Sequence, residues 1–324
     1  MYNRLFQRLI AFPVLIFSYI ALTGCSEAPQ SPLRLASSPW PGYEPLYLAR
    51  DLGYLDEKKV SLFELPSSDI TMESFRNHSA DVATLTLDET LELIHDGTEL
   101  KILLVLDVSH GGDAVLARPE IKQLSDIKGK RISIVNIPLG LYMLNRLLDK
   151  AGIERSDVKV FPMAETKQEK FYRDGKADLV ITFEPVKTKI VRAGAHVIFD
   201  SSMIPNEIFD ILVVHDDVYN NRKPELCELA SVWFKTRNYM DTNKDDAAKR
   251  ITHRLGLKIT DYDSLLDGII LPDVKTNKEL LGGEDPGLLQ PSRRLSDIMF
   301  KEKQLLRKID ASIAIDSDFT SCYK

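Results

Sequence analysis

The stretch 38-SPWPGYEPLYLARDLGYLDE-57 decides how the rest of the chain is read. A short apolar run, Leu33 to Ala36, leads into an aromatic-proline turn at Trp40, Pro41, Gly42 and Tyr43. The spacing of Leu46, Tyr47, Ala49, Arg50 and Leu52 then predicts an amphipathic helix, with Gly53 at its stop position. A strand that turns this tightly into a helix brings two aromatic rings and the free N–H groups of a helix start to one place. Open α/β sheets bind small ligands there, at the carboxyl ends of strands. The same two rings serve equally well to close a core, and spacing alone leaves both readings open.

Working outward, short apolar runs alternate with helical patterns from Leu33 to Ser201, which predicts parallel sheets covered by helices. Ala80 to Gly97 (ADVATLTLDETLELIHDG) is echoed at equal length by Ala177 to Gly194 (ADLVITFEPVKTKIVRAG). Each segment reads as a strand, an acidic turn, a helix and a closing glycine. Many βαβ units share that outline; the alternative is two similarly built lobes facing one cleft. Polar breaks at Ser109 to Asp113 and at Ser201 to Asn206 then mark where the chain crosses between lobes, and such hinges permit closure around a ligand. The expected organisation is lobe 1 from 33 to 116 plus 213 to 324, and lobe 2 from 117 to 212. After Val218 the periodicity is helical, with Trp233, Phe234, Tyr239 and Met240 spaced as core residues.

The 324-residue chain is 44% hydrophobic and 28% charged, an ordinary globular composition apart from its N-terminus. Arg4 and Arg8 precede an apolar run, Leu9 to Leu22, that is short for a membrane span and ends in Leu22-Thr23-Gly24-Cys25. This reads as a signal peptide over 1–24, followed by a polar tether over 25–32. Its removal deletes two arginines and no acid, leaving 40 basic against 48 acidic residues, a net charge of −8. That balance disfavours nucleic acid as a partner. Cys227 and Cys322 remain, and whether they pair is open. No Cys/His spacing suggests a metal site, so no metal and no cofactor are expected.

Trp40, Pro45, Ala49, Gly53 and Leu55 together resemble the W-x-G/P-x-x-P-x-x-x-A-x-x-x-G-x-F/L pattern of solute-binding proteins serving nitrate, sulfonate, taurine and thiamine-precursor importers. The resemblance extends to about residue 215 and more loosely beyond. It implies a two-lobed α/β fold of the periplasmic-binding-protein type II class, each lobe a mostly parallel sheet, the lobes joined by two crossing strands. It also implies a non-enzymatic monomer that closes on a small molecule and delivers it to an ABC permease. The runner-up is a lipoprotein that reports ligand occupancy to a membrane sensor, and a third reading is an enzyme like the thiamine-pyrimidine synthases. Leu22-Thr23-Gly24-Cys25 resembles the bacterial lipobox, which would make Cys25 the lipidated residue and hold the protein to the cell envelope.

The candidate ligand residues are Trp40, Tyr43 and Glu44 in the aromatic turn, Thr86 and Asp88 at the first echoed strand end, and His110 and Asp113 in the crossover. Tyr142 and Glu184 complete the set; Thr182-Phe183-Glu184-Pro185 resembles the W/F-E-P motif of the family. Thr86 with Glu89 also has capping-box spacing, and Glu184 sits where it would cap a helix. The loop Asn136 to Tyr142 (NIPLGLY) lacks the Ser and Thr residues with which relatives hold oxyanions. Glu44, Asp88, Asp113 and Glu184 bring four acids and no neighbouring Lys or Arg, which favours a cationic or ring-nitrogen ligand, with Trp40 and Tyr43 to stack on it. Among the six histidines only His110 lies near this set, and the sequence carries no nucleophile motif.

Overall fold

Leu33, Leu35 and Ala36 are fully buried, so the first strand is covered on both faces, as a parallel sheet under helices requires. The computed structural model describes residues 30–323. The signal peptide, Cys25 and the start of the tether lie outside the described residues. From Leu33 onward the chain forms one packed unit.

The chain runs β1 (Leu33–Ser37), α1 (Glu44–Asp51), β2 (Val60–Glu64), α2 (Ser68–Arg76), β3 (Val82–Thr86), α3 (Leu87–His95) and β4 (Leu100–Ser109). A second round follows: β5 (Ala114–Ala117), β6 (Arg131–Val135), α4 (Pro138–Ala151), β7 (Lys159–Met163), α5 (Glu165–Arg173), β8 (Leu179–Thr182), α6 (Val186–Arg192) and β9 (His196–Asp200). It ends with β10 (Phe209–His215), α7 (Asp216–Asn221), α8 (Lys223–Thr242), α9 (Lys244–Arg254), α10 (Tyr262–Leu266), β11 (Ile269–Ile270), α11 (Val274–Leu281) and α12 (Leu289–Lys301).

Two sheets result, ordered β11-β4-β10-β3-β1-β2 and β7-β6-β8-β5-β9. The cores β2-β1-β3 and β7-β6-β8 are parallel; the crossing strands β10 and β5 enter antiparallel, so each sheet is mixed. The two rounds are the same unit built twice. Each sheet keeps its strands in the same relative order, and the strand that follows each crossing, β5 or β10, is inserted into the other sheet beside β8 or β3. β5 pairs from Ala114 in the second sheet and β10 from Phe209 in the first. The crossings therefore fall before residues 114 and 209, slightly earlier in the chain than the 116 and 212 read from the sequence. The polar breaks at Ser109 to Asp113 and at Ser201 to Asn206 lie at these crossings, so hydropathy marked them, and only the boundary drawn inside the apolar strand that follows each break was displaced.

A shared clamp marks the repeat. In lobe 1, Arg34 donates to Asp81 from its backbone N–H (2.8 Å), Nε (3.0 Å) and Nη2 (2.5 Å). In lobe 2, Arg131 donates to Asp178 from the same three groups at 2.8, 3.0 and 2.6 Å. Both residues recur 97 positions on (131 − 34 = 178 − 81 = 97). Such a bidentate clamp is half in water, so it fixes the register of neighbouring strands more than it adds stability.

The C-terminal helices cover the first sheet, with Trp233 fully buried, Phe234 and Met240 buried and Tyr239 half-buried. Cys227 on α8 is joined to Cys322, with the Cα atoms 5.0 Å apart. β11, two residues long, carries too little pattern to be read from sequence; it pairs with the end of β4.

Candidate functional site

The 97-residue repeat places matching positions of the two lobes against each other. The cleft between the sheets is lined by Trp40, Tyr43, Ser68, Thr86, Asp113, Ile137, Leu139, Phe183 and Asp210. Three pairs among these are repeat mates: Trp40 with Ile137, Thr86 with Phe183, and Asp113 with Asp210. Ser68, at the start of α2, donates its backbone N–H to Glu165, its own repeat mate, at 3.2 Å. The lobes are closed: Trp40 and Phe183 meet edge to face with centroids 5.9 Å apart, leaving a cavity of about 20 Å³.

The repeat mates differ in chemistry, and this gives the cleft two unlike walls. Lobe 1 offers Trp40 and Tyr43; the matching turn of lobe 2 offers Ile137, Leu139 and Gly140. Trp40 donates its indole N–H to Asp107 Oδ2 at 2.9 Å, and the Tyr43 hydroxyl donates to Asp210 Oδ1. Gly42 is required by this packing, because a Cβ there would overlap the Asp107 carboxylate. Gly112 is pinned likewise, with Trp40 2.6 Å from where its Cβ would be. The crossovers are tied to each other by Ser109 Oγ to Ser201 Oγ (2.7 Å) and by the Gly111 N–H to Ser201 Oγ (2.6 Å).

Several polar side-chain atoms here are buried without a partner. Asp107 Oδ1, Asp88 Oδ2, Glu89 Oε1 and Thr182 Oγ1 are buried without a hydrogen-bond partner. Burial pushes the carboxyls of Asp107 and Glu89 up to about 8, Asp88 to about 7 and Asp113 to about 6. Asp210 is pushed well up by burial and by the adjacent charge of Asp107.

Of the residues read from the sequence, Trp40, Tyr43, Thr86 and Asp113 line the cleft, and Asp88 is buried at the start of α3 with one oxygen free. Thr86 also makes the capping box, accepting from the Glu89 N–H while Glu89 accepts from its own. The other four are drawn elsewhere. Glu44, 1% exposed, is held in a two-point ion pair by Arg254 of α9 (Nε to Oε2, 2.8 Å), so the acids of this region do not all lack a counter-charge. Burial pushes Glu44 up to about 7 against that pairing. Glu184 caps α6, accepting from the Thr188 N–H and hydroxyl, each at 3.1 Å, with Lys187 Nζ 3.6 Å away. Tyr142 donates to Glu207 at 2.5 Å, alongside Arg146. His110 is exposed. The partners of Glu44 and Tyr142 lie far along the chain and were not visible in the local motif, whereas the capping role of Glu184, one helical turn from Thr188, was.

Asp107 and Asp210 were missed. Their signal was present, since each is a lone acid inside an otherwise apolar strand, LLVLDVS and FDILVV. No group of His, Cys, Asp and Glu among the described residues has the arrangement of a metal site.

Comparison with known proteins agrees with this architecture. The model of the NMT1/THI5-like family matches residues 40–244, well over half of the chain. The chain belongs to the NMT1/THI5-like family. No curated protein sequence matches it. Among solved structures, this NMT1/THI5-like chain is similar to the alkanesulfonate-binding protein SsuA from Xanthomonas axonopodis pv. citri, bound to MOPS, with 14% identity and a TM-score of 0.74 over 89% of this chain and 99% of that one. It is similar to the ligand-binding component of an ABC-type import system from Staphylococcus aureus, with zinc bound (12%, TM-score 0.74, 90% and 98% covered). The desulfurization enzyme DszB is similar at 15% identity and a TM-score of 0.65 (89% and 97% covered). At these identities the likeness shows the fold. Family membership thus joins the two-lobed fold to a cleft whose floor, in this NMT1/THI5-like chain, is acidic.

Proposed function

We propose that the protein is the ligand-binding component of an ABC-type importer, holding a small organic cation between its lobes and catalysing no reaction. The reading continues with a lipid anchor at Cys25, an envelope location, a monomeric state and a cognate permease as partner. Binding to both lobes at once favours the closed form by its differential affinity for it. Likeness to an import component and to SsuA supports the carrier role. What carries the choice of ligand is the surplus of buried, unpartnered acceptors beside Trp40 and Tyr43. Where these carboxyls are ionised, a bound anion would meet them without a countering donor, whereas N–H donors on a cation would satisfy them. The Ile137–Leu139–Phe183 wall suits an apolar or aromatic body, with the cationic nitrogen turned toward lobe 1.

Calorimetric titration of the mature chain with arylamines, alkylamines, aminopyrimidines and alkanesulfonates tests this. Saturable binding of amines or aminopyrimidines is expected, and binding of sulfonates alone would refute the choice of ligand.

A further inference from the structure

Asp107 of β4 and Asp210 of β10 are direct partners in the antiparallel register, so their side chains leave neighbouring strands side by side. Asp107 is fully buried and Asp210 is 3% exposed, and the two carboxyls lie within hydrogen-bonding reach of each other. One oxygen of each is already engaged, by Trp40 Nε1 and by the Tyr43 hydroxyl. Asp107 Oδ1 has no partner, and Asp210 lines the cleft. Two contacting, buried carboxyls do not both ionise, so they hold one proton between them.

We propose that Asp107 and Asp210 are the seat for the ligand's cationic nitrogen, and that the proton they share leaves to solvent when an N–H⁺ group takes its place. The proposal rests on the cleft being a cation site. Only an O–H bond breaks: one proton departs, one positive charge arrives, and the net charge of the seat is unchanged. The groups facing the pair agree with an exchange. From the aromatic turn come Trp40 and Tyr43, which stabilise the charged pair by donating to it. From α3 comes Glu89, with Asp88 beside it, and from the crossover comes Asp113. Among the described residues, Lys187 faces Asp113 and donates to the Gly111 carbonyl at 2.8 Å. Burial holds Asp107 near 8, so the shared proton is present at neutral pH.

The dyad also lies where the chain passes between sheets, because β4 ends at Ser109 and β10 begins at Phe209. Filling the seat therefore acts on the two strands that bear the hinge.

The probe is benzamidinium, which stays cationic from pH 6 to 9 and presents an aromatic body behind a two-pronged N–H end; neutral benzamide is its isostere. Benzamidinium is expected to bind the mature chain, with benzamide at least about 30-fold weaker. Because the proton competes with the ligand, affinity should rise about tenfold per pH unit below the pKa of the pair and level off above it. Calorimetry in phosphate and in Tris should differ by the ionisation heat of about one proton per ligand. Infrared difference spectra should lose a carboxylic-acid C=O band on binding, a readout that needs no variant. Asp107→Asn combined with Asp210→Asn, which keeps acceptors for Trp40 and Tyr43, should abolish both that band and the pH slope. Tight, pH-independent benzamidinium binding without proton release would overturn the exchange while leaving the cation reading intact. Failure of benzamidinium alongside binding of benzamide or a sulfonate would overturn both.

Discussion

Ser68 and Glu165 stand at the same position of two successive structural units, 97 residues apart, and are hydrogen-bonded to each other across the interlobe boundary at 3.2 Å. Glu165 accepts from the open N-terminus of α2, where a carboxylate also meets the positive end of the helix dipole. The contact bridges the lobes, and so does the edge-to-face meeting of Trp40 with Phe183.

Removing the ring on lobe 2 should loosen closure without touching the acidic floor. Phe183→Ala is expected to weaken ligand affinity by about tenfold, on the order of an aromatic pair plus its buried area. It should also raise the radius of gyration of the ligand-free chain in solution scattering. Unchanged affinity and unchanged scattering would mean that the ring contributes nothing to closure.

Arg254→Met isolates the pairing that drew Glu44 out of the cleft. Glu44 would be left buried with no cation against it, its exposed neighbour Glu64 also losing its partner. A loss of about 3 kcal/mol is expected in urea unfolding, as a lower midpoint with unchanged slope. Adding Glu44→Gln should restore most of it, because the buried charge is then gone. A single variant as stable as the parent would show the pair to be energetically idle.

The contrast between Glu44 and Asp107 shows what the sequence could convey. Leu33–Ser37, the turn after it and the echo at Ala177 carried local periodicity, so strands, helices and the paired lobes were legible. Trp40 and Tyr43 were legible as ligand candidates because a strand end and a helix start flank them. Glu44 looked equally well placed, yet its partner lies 210 residues away and no local pattern encodes that distance. Asp107 and Asp210 come together only because β10 returns from the second sheet to pair with β4, a matter of topology. The repeat itself was faint because its matching positions keep geometry, not residue type: Trp40 against Ile137, Ser68 against Glu165.

The buried acids make stability depend on pH in an unusual direction. Burial raises Asp88, Glu89, Asp107 and Asp113 to between about 6 and about 8, above the ordinary carboxylate range they regain on unfolding. The folded state therefore holds more protons than the unfolded state between pH 5 and 8. The stability linked to these groups is fully present below about pH 4 and is lost as pH rises through 8. Clamp acids such as Asp81 and Asp178, held low chiefly by their arginines against desolvation, act in the opposite sense, but only at more acidic pH. The melting temperature should fall by roughly 5 °C or more from pH 6 to pH 9. A flat or rising profile over that range would contradict ionisable acids in the cleft floor.

Gly42→Ala tests whether the aromatic turn and the acidic floor are one unit. The new methyl would overlap Asp107 Oδ2 and fall 2.6 Å from Trp40 Nε1, so the bond between them cannot survive in place. Asp107, with its other oxygen already unpartnered, would then lose its one donor from the turn. The expected cost is about 1–3 kcal/mol for overpacking, together with loss of binding by at least about tenfold. Trp40 fluorescence should shift on substitution, reporting the altered indole environment directly. Gly53→Ala, just past the other end of α1, is the comparison: its strain comes from a φ of +68°, with nothing within 4 Å of the added methyl. It should lower stability while leaving ligand affinity and the Trp40 emission as they are, so a binding defect confined to Gly42→Ala would locate the effect at the Trp40–Asp107 contact.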